Sequence, residues 1–205
     1  MAETKEKSTA RDLQARQTKC QLFDAAIRLI REIGYDHVKI TDITRAVGVS
    51  KGTFYLYFPT KDAVLAEQFA ALDEHYVQST KQLPDAAVEE QLLFFLTQMC
   101  EYISNVCGLN IMKTLYMNQI STELCTKLLS NSARPFYKIM TEFVHRGTLS
   151  GFFRTDLEET EVRNLLIRAV HGLIYDWCLY DASFSLVEEG KRYFAHTLEM
   201  LQARS

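Results

Sequence analysis

Between Leu22 and Ile33, apolar residues recur every three or four positions, at Leu22, Phe23, Ala26, Ile27, Ile30 and Ile33, with Arg28, Arg31 and Glu32 between them. This spacing predicts an amphipathic helix, and Gly34 is placed to end it. Residues 1–12, rich in Lys, Glu, Ser and Thr, read as a flexible tail. Thr41 reads as the N-cap of a short helix over Asp42–Val47, which Gly48 breaks. Ser50 caps a second short helix, Lys51–Tyr57, and Pro59 closes it, because proline cannot continue a helix. Two helices of about two turns each, joined tightly at Gly48-Val49, have the layout of a helix-turn-helix.

The 3.6-residue period continues to the C-terminus. A long helix is predicted from Thr60-Lys61-Asp62 through Leu65, Phe69, Leu72 and Tyr76, with a break at Pro84. Residues 86–106 carry Leu92, Leu93, Leu96, Met99, Cys100, Ile103 and Val106 at helical spacing, and a shorter helical stretch surrounds Ile111–Met117. A further helix is predicted over 121–146, ended by His145-Arg146-Gly147. The clearest stripe is Val162, Leu165, Leu166, Ala169, Val170, Leu173, Ile174 and Trp177; Leu186, Phe194, Leu198 and Leu201 mark a last helix. No strand alternation stands out, so the expected fold is all-α. It comprises a helix-turn-helix domain over 13–60 and a larger helical domain over 61–205.

Composition narrows the function classes. No apolar run reaches the roughly 18–20 residues that span a bilayer, and the polar start lacks the apolar centre of a secretory signal, so a cytoplasmic protein without a membrane partner is expected. Five cysteines without a CxxC pair make a poor disulfide framework and a poor zinc site. Cys100 and Cys107, seven apart, are the pair to inspect for redox chemistry. There is no GxSxG elbow, P-loop, glycine-rich dinucleotide turn or HExxH, and the five histidines lack metal-ligand spacing. An enzyme is therefore not expected, nor a cofactor or a metal. Residues 1–63 carry a formal charge of +3 and the remainder −6, which points the N-terminal end towards a polyanion.

The second short helix has the chemistry such a partner needs. Phe54 and Phe58, four apart, can hold it to the small core that Ile43, Val47 and Val49 share. Ser50, Lys51, Thr53, Tyr55 and Tyr57 then remain on its other side. A helix fits the major groove of DNA. Lys51 can donate to guanine or phosphate, the Thr53 methyl can touch thymine, and the two phenols can reach phosphates. Gly52 allows close backbone approach, and Lys61 can join the next helix's N-terminal amides in gripping phosphate.

The ordered run Thr41-Asp-Ile-Thr-Arg-Ala-Val-Gly48-Val-Ser-Lys-Gly-Thr-Phe-Tyr55-Leu-Tyr-Phe-Pro-Thr-Lys61 strongly resembles the DNA-binding signature of the TetR family, the tetracycline-repressor-like regulators. Thr41, Ile43, Gly48, Val49, Ser50, Gly52, Thr53, Phe54, Tyr55, Tyr57, Phe58 and Lys61 match it. Thr44 and Val47 depart from its usual alanines and call for local repacking. The signature covers about 50 residues; beyond it, Gly147-(x3)-Gly151-Phe-Phe-Arg154-x-Asp156 is similar to the turn that often precedes the family's last two helices. The resemblance implies a homodimer built on those helices, double-stranded operator DNA as partner, repression, and release by a small molecule. One short helix reads few base pairs, whereas a two-fold dimer reads two half-sites about one helical turn or more apart.

The resemblance also implies an effector pocket in the C-terminal domain. Phe69, Tyr76, Met99, Tyr102, Met112 and Tyr116 are candidate lining residues, together with Ile139, Met140, Phe143, His171 and Tyr175. Each also suits an ordinary helical core. His171 is the more telling, since a polar group at depth requires a partner. With few cationic residues in the set, the expected effector is small and apolar or aromatic, neutral or cationic. A regulator without an effector, constitutive or controlled by a partner protein, remains the alternative.

Overall fold

The computed structural model describes residues 10–121 and 128–203. Among them the only β pairing is an isolated antiparallel bridge between Phe153 and Gln202, and the fold is all-α. Two compact units divide the chain at Gln68/Phe69.

The first unit contains α1 (Ala10–Ile33), α2 (Ile40–Val47), α3 (Lys51–Tyr57) and the start of α4 (Lys61–Thr80). α1 begins earlier than the expected tail would allow: Ala10–Asp12 form its first turn, with the Asp12 carboxylate at the positive end of the helix dipole. Residues 1–9 of that tail lie outside the described residues. The predicted stripe is buried at Leu22, Ala26, Ile27 and Ile30, whereas Ile33, on the last turn, is half exposed. α1 packs on α2 and α2 on α3. α2 starts at Ile40, with Lys39 as N-cap; the Lys39 N–H donates to Asp42 Oδ2 at 3.1 Å. Thr41 is therefore a first-turn residue and not the cap expected of it. Asp42 has the carboxylate that ties the start of the helix, which displaces the boundary by two residues.

The second unit comprises the rest of α4 and α5 (Val88–Tyr102), a π-helical turn (Ile103–Cys107), α6 (Leu109–Ser121), α7 (Pro135–Leu149), α8 (Glu159–Leu179) and α9 (Leu186–Leu201). α5 packs on α7 and α9, and α8 on α6, α7 and α9. The π turn changes the register that the sequence predicts. The extra residue in its wider turn rotates Val106 outward, to 41% exposure, and buries Cys107.

α7 also differs from expectation. It starts at Pro135, whose missing N–H belongs to the first turn of a helix in any case. The predicted helix over 121–146 therefore covers residues 128–134, which are not helical, and residues 122–127, which lie outside the described residues. Gly147 does not end α7. It is buried within it because the ring of Phe153 packs onto its backbone; a Cβ there would stand 2.4 Å from Phe153 Cε2. The chain then turns through Gly151, and Arg154 N–H donates to the Leu201 carbonyl at 3.0 Å while Ala203 N–H donates to that of Phe152 at 2.8 Å. This strap fixes the end of α9 beside the end of α7.

Of the α8 stripe, Val162, Leu166, Ala169, Val170, Leu173, Ile174 and Trp177 are buried within the chain; Leu165 alone is exposed, at 40%. No single helix among the described residues is long and apolar enough to cross a membrane.

Candidate nucleic-acid interface and effector cavity

The helix-turn-helix is shaped by short-range contacts. Gly48 ends α2 in the left-handed region, with φ +77°, and its N–H and that of Val49 both donate to the Thr44 carbonyl, at 2.9 and 3.0 Å. No atom lies within 4 Å of a Cβ built at Gly48, so the backbone angle, not space, selects glycine. Thr44, in place of an alanine, is buried, and its hydroxyl is satisfied by the Thr41 carbonyl at 3.3 Å. Ser50 caps α3: its Oγ accepts from Thr53 N–H at 3.1 Å and lies 3.0 Å from Thr53 Oγ1. Ser50 and Thr53 thus spend part of their hydrogen-bonding capacity on each other.

α3 has two chemically distinct sides. Phe54 and Phe58 are fully buried with ring centroids 5.6 Å apart. Lys51, Gly52 and Tyr55 are exposed, and Thr53 and Tyr57 are half-buried. Leu56 is 76% exposed on this same helix. An apolar side chain presented to solvent beside two phenols is a further candidate contact; its outward position could have been read from its offset to Phe54 and Phe58.

Lys61, expected to grip phosphate, has partners within the chain. Its ammonium donates to the carbonyls of Tyr35 and Val38, at 2.6 and 3.0 Å, and sits 3.8 Å from the centre of the Tyr35 ring. Tyr35 in turn donates its hydroxyl to Asp62. Burial lowers the Lys61 pKa from its ordinary value, opposed by Asp36 and Asp62. The side chain is a staple that joins the α1–α2 connection to the first turn of α4. Thr60 Oγ1 caps that helix by accepting from Ala63 N–H at 3.2 Å.

In the second unit, a cavity of about 30 Å³, room for a water molecule, lies among α4, α5, α6, α7 and α8. Five of the expected lining residues meet at it: Tyr76, Met99, Met112, Tyr116 and His171. The others do not. Phe143 packs on Phe95, Tyr102 stacks on His75 at 4.1 Å, and Tyr175 is 42% exposed, edge-on to Tyr116. Met140 and Phe69 are buried away from the cavity wall, and Ile139 is half-buried off it.

The principal residue missed is Arg134. It is 9% exposed and lines the cavity; its Nε and Nη2 donate to the Asp73 carboxylate, each at 2.9 Å, and Nη1 donates to the Leu128 carbonyl at 3.1 Å. The candidate set, drawn from apolar and aromatic positions, holds no arginine; Arg134 adds to the wall a cation whose charge is paired with Asp73, 61 residues away in the chain. His171 is kept neutral at pH 7 by burial and by the positive charge of Arg134, and its carbonyl accepts the Tyr116 hydroxyl at 3.1 Å. Burial raises the thiol pKa of Cys100 to about 12 and that of Cys178 to about 11, so both are protonated at neutral pH. Cys107 is likewise buried, and a reactive Cys100–Cys107 pair gains no support.

Residues 22–67 match the family described as "Bacterial regulatory proteins, tetR family", and residues 65–199 match "YsiA-like protein, C-terminal region". The chain is 24% identical over 176 residues to the fatty acid metabolism regulator protein of Bacillus subtilis, covering 85% of this chain and 90% of that one. The structure of the fatty acid degradation regulator FadR from Bacillus halodurans is similar with a TM-score of 0.76 and 26% identity, over 91% of this chain and 97% of that one. The transcriptional regulator FadR from Bacillus subtilis, solved in complex with stearoyl-CoA, has a TM-score of 0.71 at 23% identity, over 87% and 97% of the two chains.

Proposed function

Since the chain belongs to the TetR family of bacterial transcriptional regulators, we propose that it represses transcription as a homodimer on a two-fold operator and leaves DNA when an acyl effector binds its second unit. The observation that carries the DNA reading is the division of α3 between buried Phe54 and Phe58 and outward Lys51, Gly52 and Tyr55, at the spacing of the family signature. Lys51 takes the base-edge or phosphate contact. Thr41, Thr53, Tyr55 and Tyr57 hydrogen-bond phosphates, and Gly52 lets the backbone approach. Ser50 serves mainly as the cap that orients α3, and Lys61 as the staple that supports it.

The acyl class of effector is supported by two things. Relatives over most of the chain are named for fatty acid metabolism, and one was solved with stearoyl-CoA. The cavity wall combines apolar side chains with one guanidinium.

The dimer surface proposed is the outer face of α8 and α9. Leu165, Arg168, Ala169, Tyr193, Thr197 and Met200 line a groove of about 410 Å³ there, with Leu165 40% and Met200 68% exposed. An apolar strip of this kind calls for a partner, and at Gly172 a Cβ would meet nothing within 4 Å, which leaves room for a second helix. Leu165→Glu with Met200→Glu should therefore give a monomer in sedimentation velocity and lower operator affinity by about a hundredfold, through loss of the second half-site. A double variant that sediments as a dimer would move the interface elsewhere.

A further inference from the structure

The cavity wall carries one charged residue, and its hydrogen-bonding capacity is incompletely used. A guanidinium has five N–H groups. Asp73 takes one from Nε and one from Nη2, and the Leu128 carbonyl takes one from Nη1. One N–H on Nη1 and one on Nη2 have no acceptor among the described residues. Asp73 does not itself line the cavity, so it holds the guanidinium in place without covering the side that does. Beside it on the same wall lie the imidazole of His171, whose pKa is lowered by burial and by the charge of Arg134, and the buried side chain of Tyr76.

From this arrangement, and resting on the acyl-effector reading above, we infer that Arg134 is the anchor for the acyl carbonyl oxygen of the effector, with Asp73 as the residue that positions it. The hydrocarbon chain lies among Leu72, Met99, Ile103, Met112 and Leu115. Those side chains accept any hydrocarbon and make no distinction between head groups. Arg134 does: buried donors that await an acceptor discriminate strongly against an analogue that lacks one, because they are then left unpaired. The bidentate pair with Asp73 fixes the plane of the fork. The third bond, to Leu128, ties that plane to the turn preceding α7. The polar end of the site is thus pre-set, while the cavity of about 30 Å³ must widen to admit a chain. The unbranched Met99 and Met112 side chains are the ones able to repack.

The test is a matched pair of ligands differing in one oxygen: palmitoyl-CoA, a thioester, and S-hexadecyl-CoA, the thioether without the carbonyl. Binding of each is measured by calorimetry to the full chain and to Asp73→Leu/Arg134→Met, which removes both charges together and leaves none buried alone. The wild-type chain should bind the thioester about tenfold more tightly than the thioether, and the double variant should bind the two alike. A preference that survives in the double variant would place the anchor on another residue. A wild-type chain that binds both equally would overturn the anchor and leave the acyl reading standing. Binding of neither ligand would overturn both.

Discussion

Lys61→Met is expected to destabilise the DNA-binding unit by about 2 kcal/mol and to leave the salt dependence of operator binding unchanged. Two hydrogen bonds from an ammonium to carbonyls, at 2.6 and 3.0 Å, and a cation 3.8 Å from the Tyr35 ring are removed together. Charged hydrogen bonds contribute about 1.5–3 kcal/mol each, and partial exposure brings the sum down. The Tyr35 and Val38 carbonyls would then have to find water, so the α1–α2 connection loosens. Amide hydrogen exchange in α1–α3 reads the loss. A lysine that touched phosphate would behave differently: its removal would reduce the slope of log affinity against log salt by about one. An unchanged exchange pattern with a flatter slope would restore the phosphate role that the signature alone implies.

Arg134→Met should be the more damaging substitution, at about 3–5 kcal/mol of unfolding free energy, because it leaves the Asp73 carboxylate buried without its partner. The two side chains are only 9% and 17% exposed. Replacing both, as Asp73→Leu/Arg134→Met, should recover most of that loss, since an apolar pair of similar volume has no charge to desolvate. Urea unfolding of the three proteins decides it. If the double variant is as unstable as the single one, the essential bond is the one from Arg134 to the Leu128 carbonyl, and the pair with Asp73 contributes little.

These two residues also mark where the sequence ceased to be informative. The signature from Thr41 to Lys61 is legible because its determinants are local: a cap at Ser50, a left-handed turn at Gly48, and two phenylalanines one turn apart. The long helices are legible for the same reason, and α8 shows its buried stripe with one exception at Leu165. The role of Lys61 is not local. Its acceptors are main-chain carbonyls 23 and 26 residues earlier, and carbonyls carry no sequence signal. Arg134 pairs with a carboxylate 61 residues away, so nothing near it in the chain distinguishes it from a surface arginine. The π turn at Ile103–Cys107 and the burial of Gly147 beneath Phe153 likewise arise from packing between distant segments. Residue type alone therefore singles out cavity candidates, and only those on the inward faces of α4, α5, α6 and α8 meet.

A selection of genomic fragments by the purified chain, read out by sequencing at low and moderate salt, tests whether α3 reads DNA sequence as part of a two-fold dimer. A single two-fold-symmetric motif with half-sites about one helical turn or more apart should be enriched. Folded protein that enriches no motif at low salt would contradict sequence-specific recognition by α3.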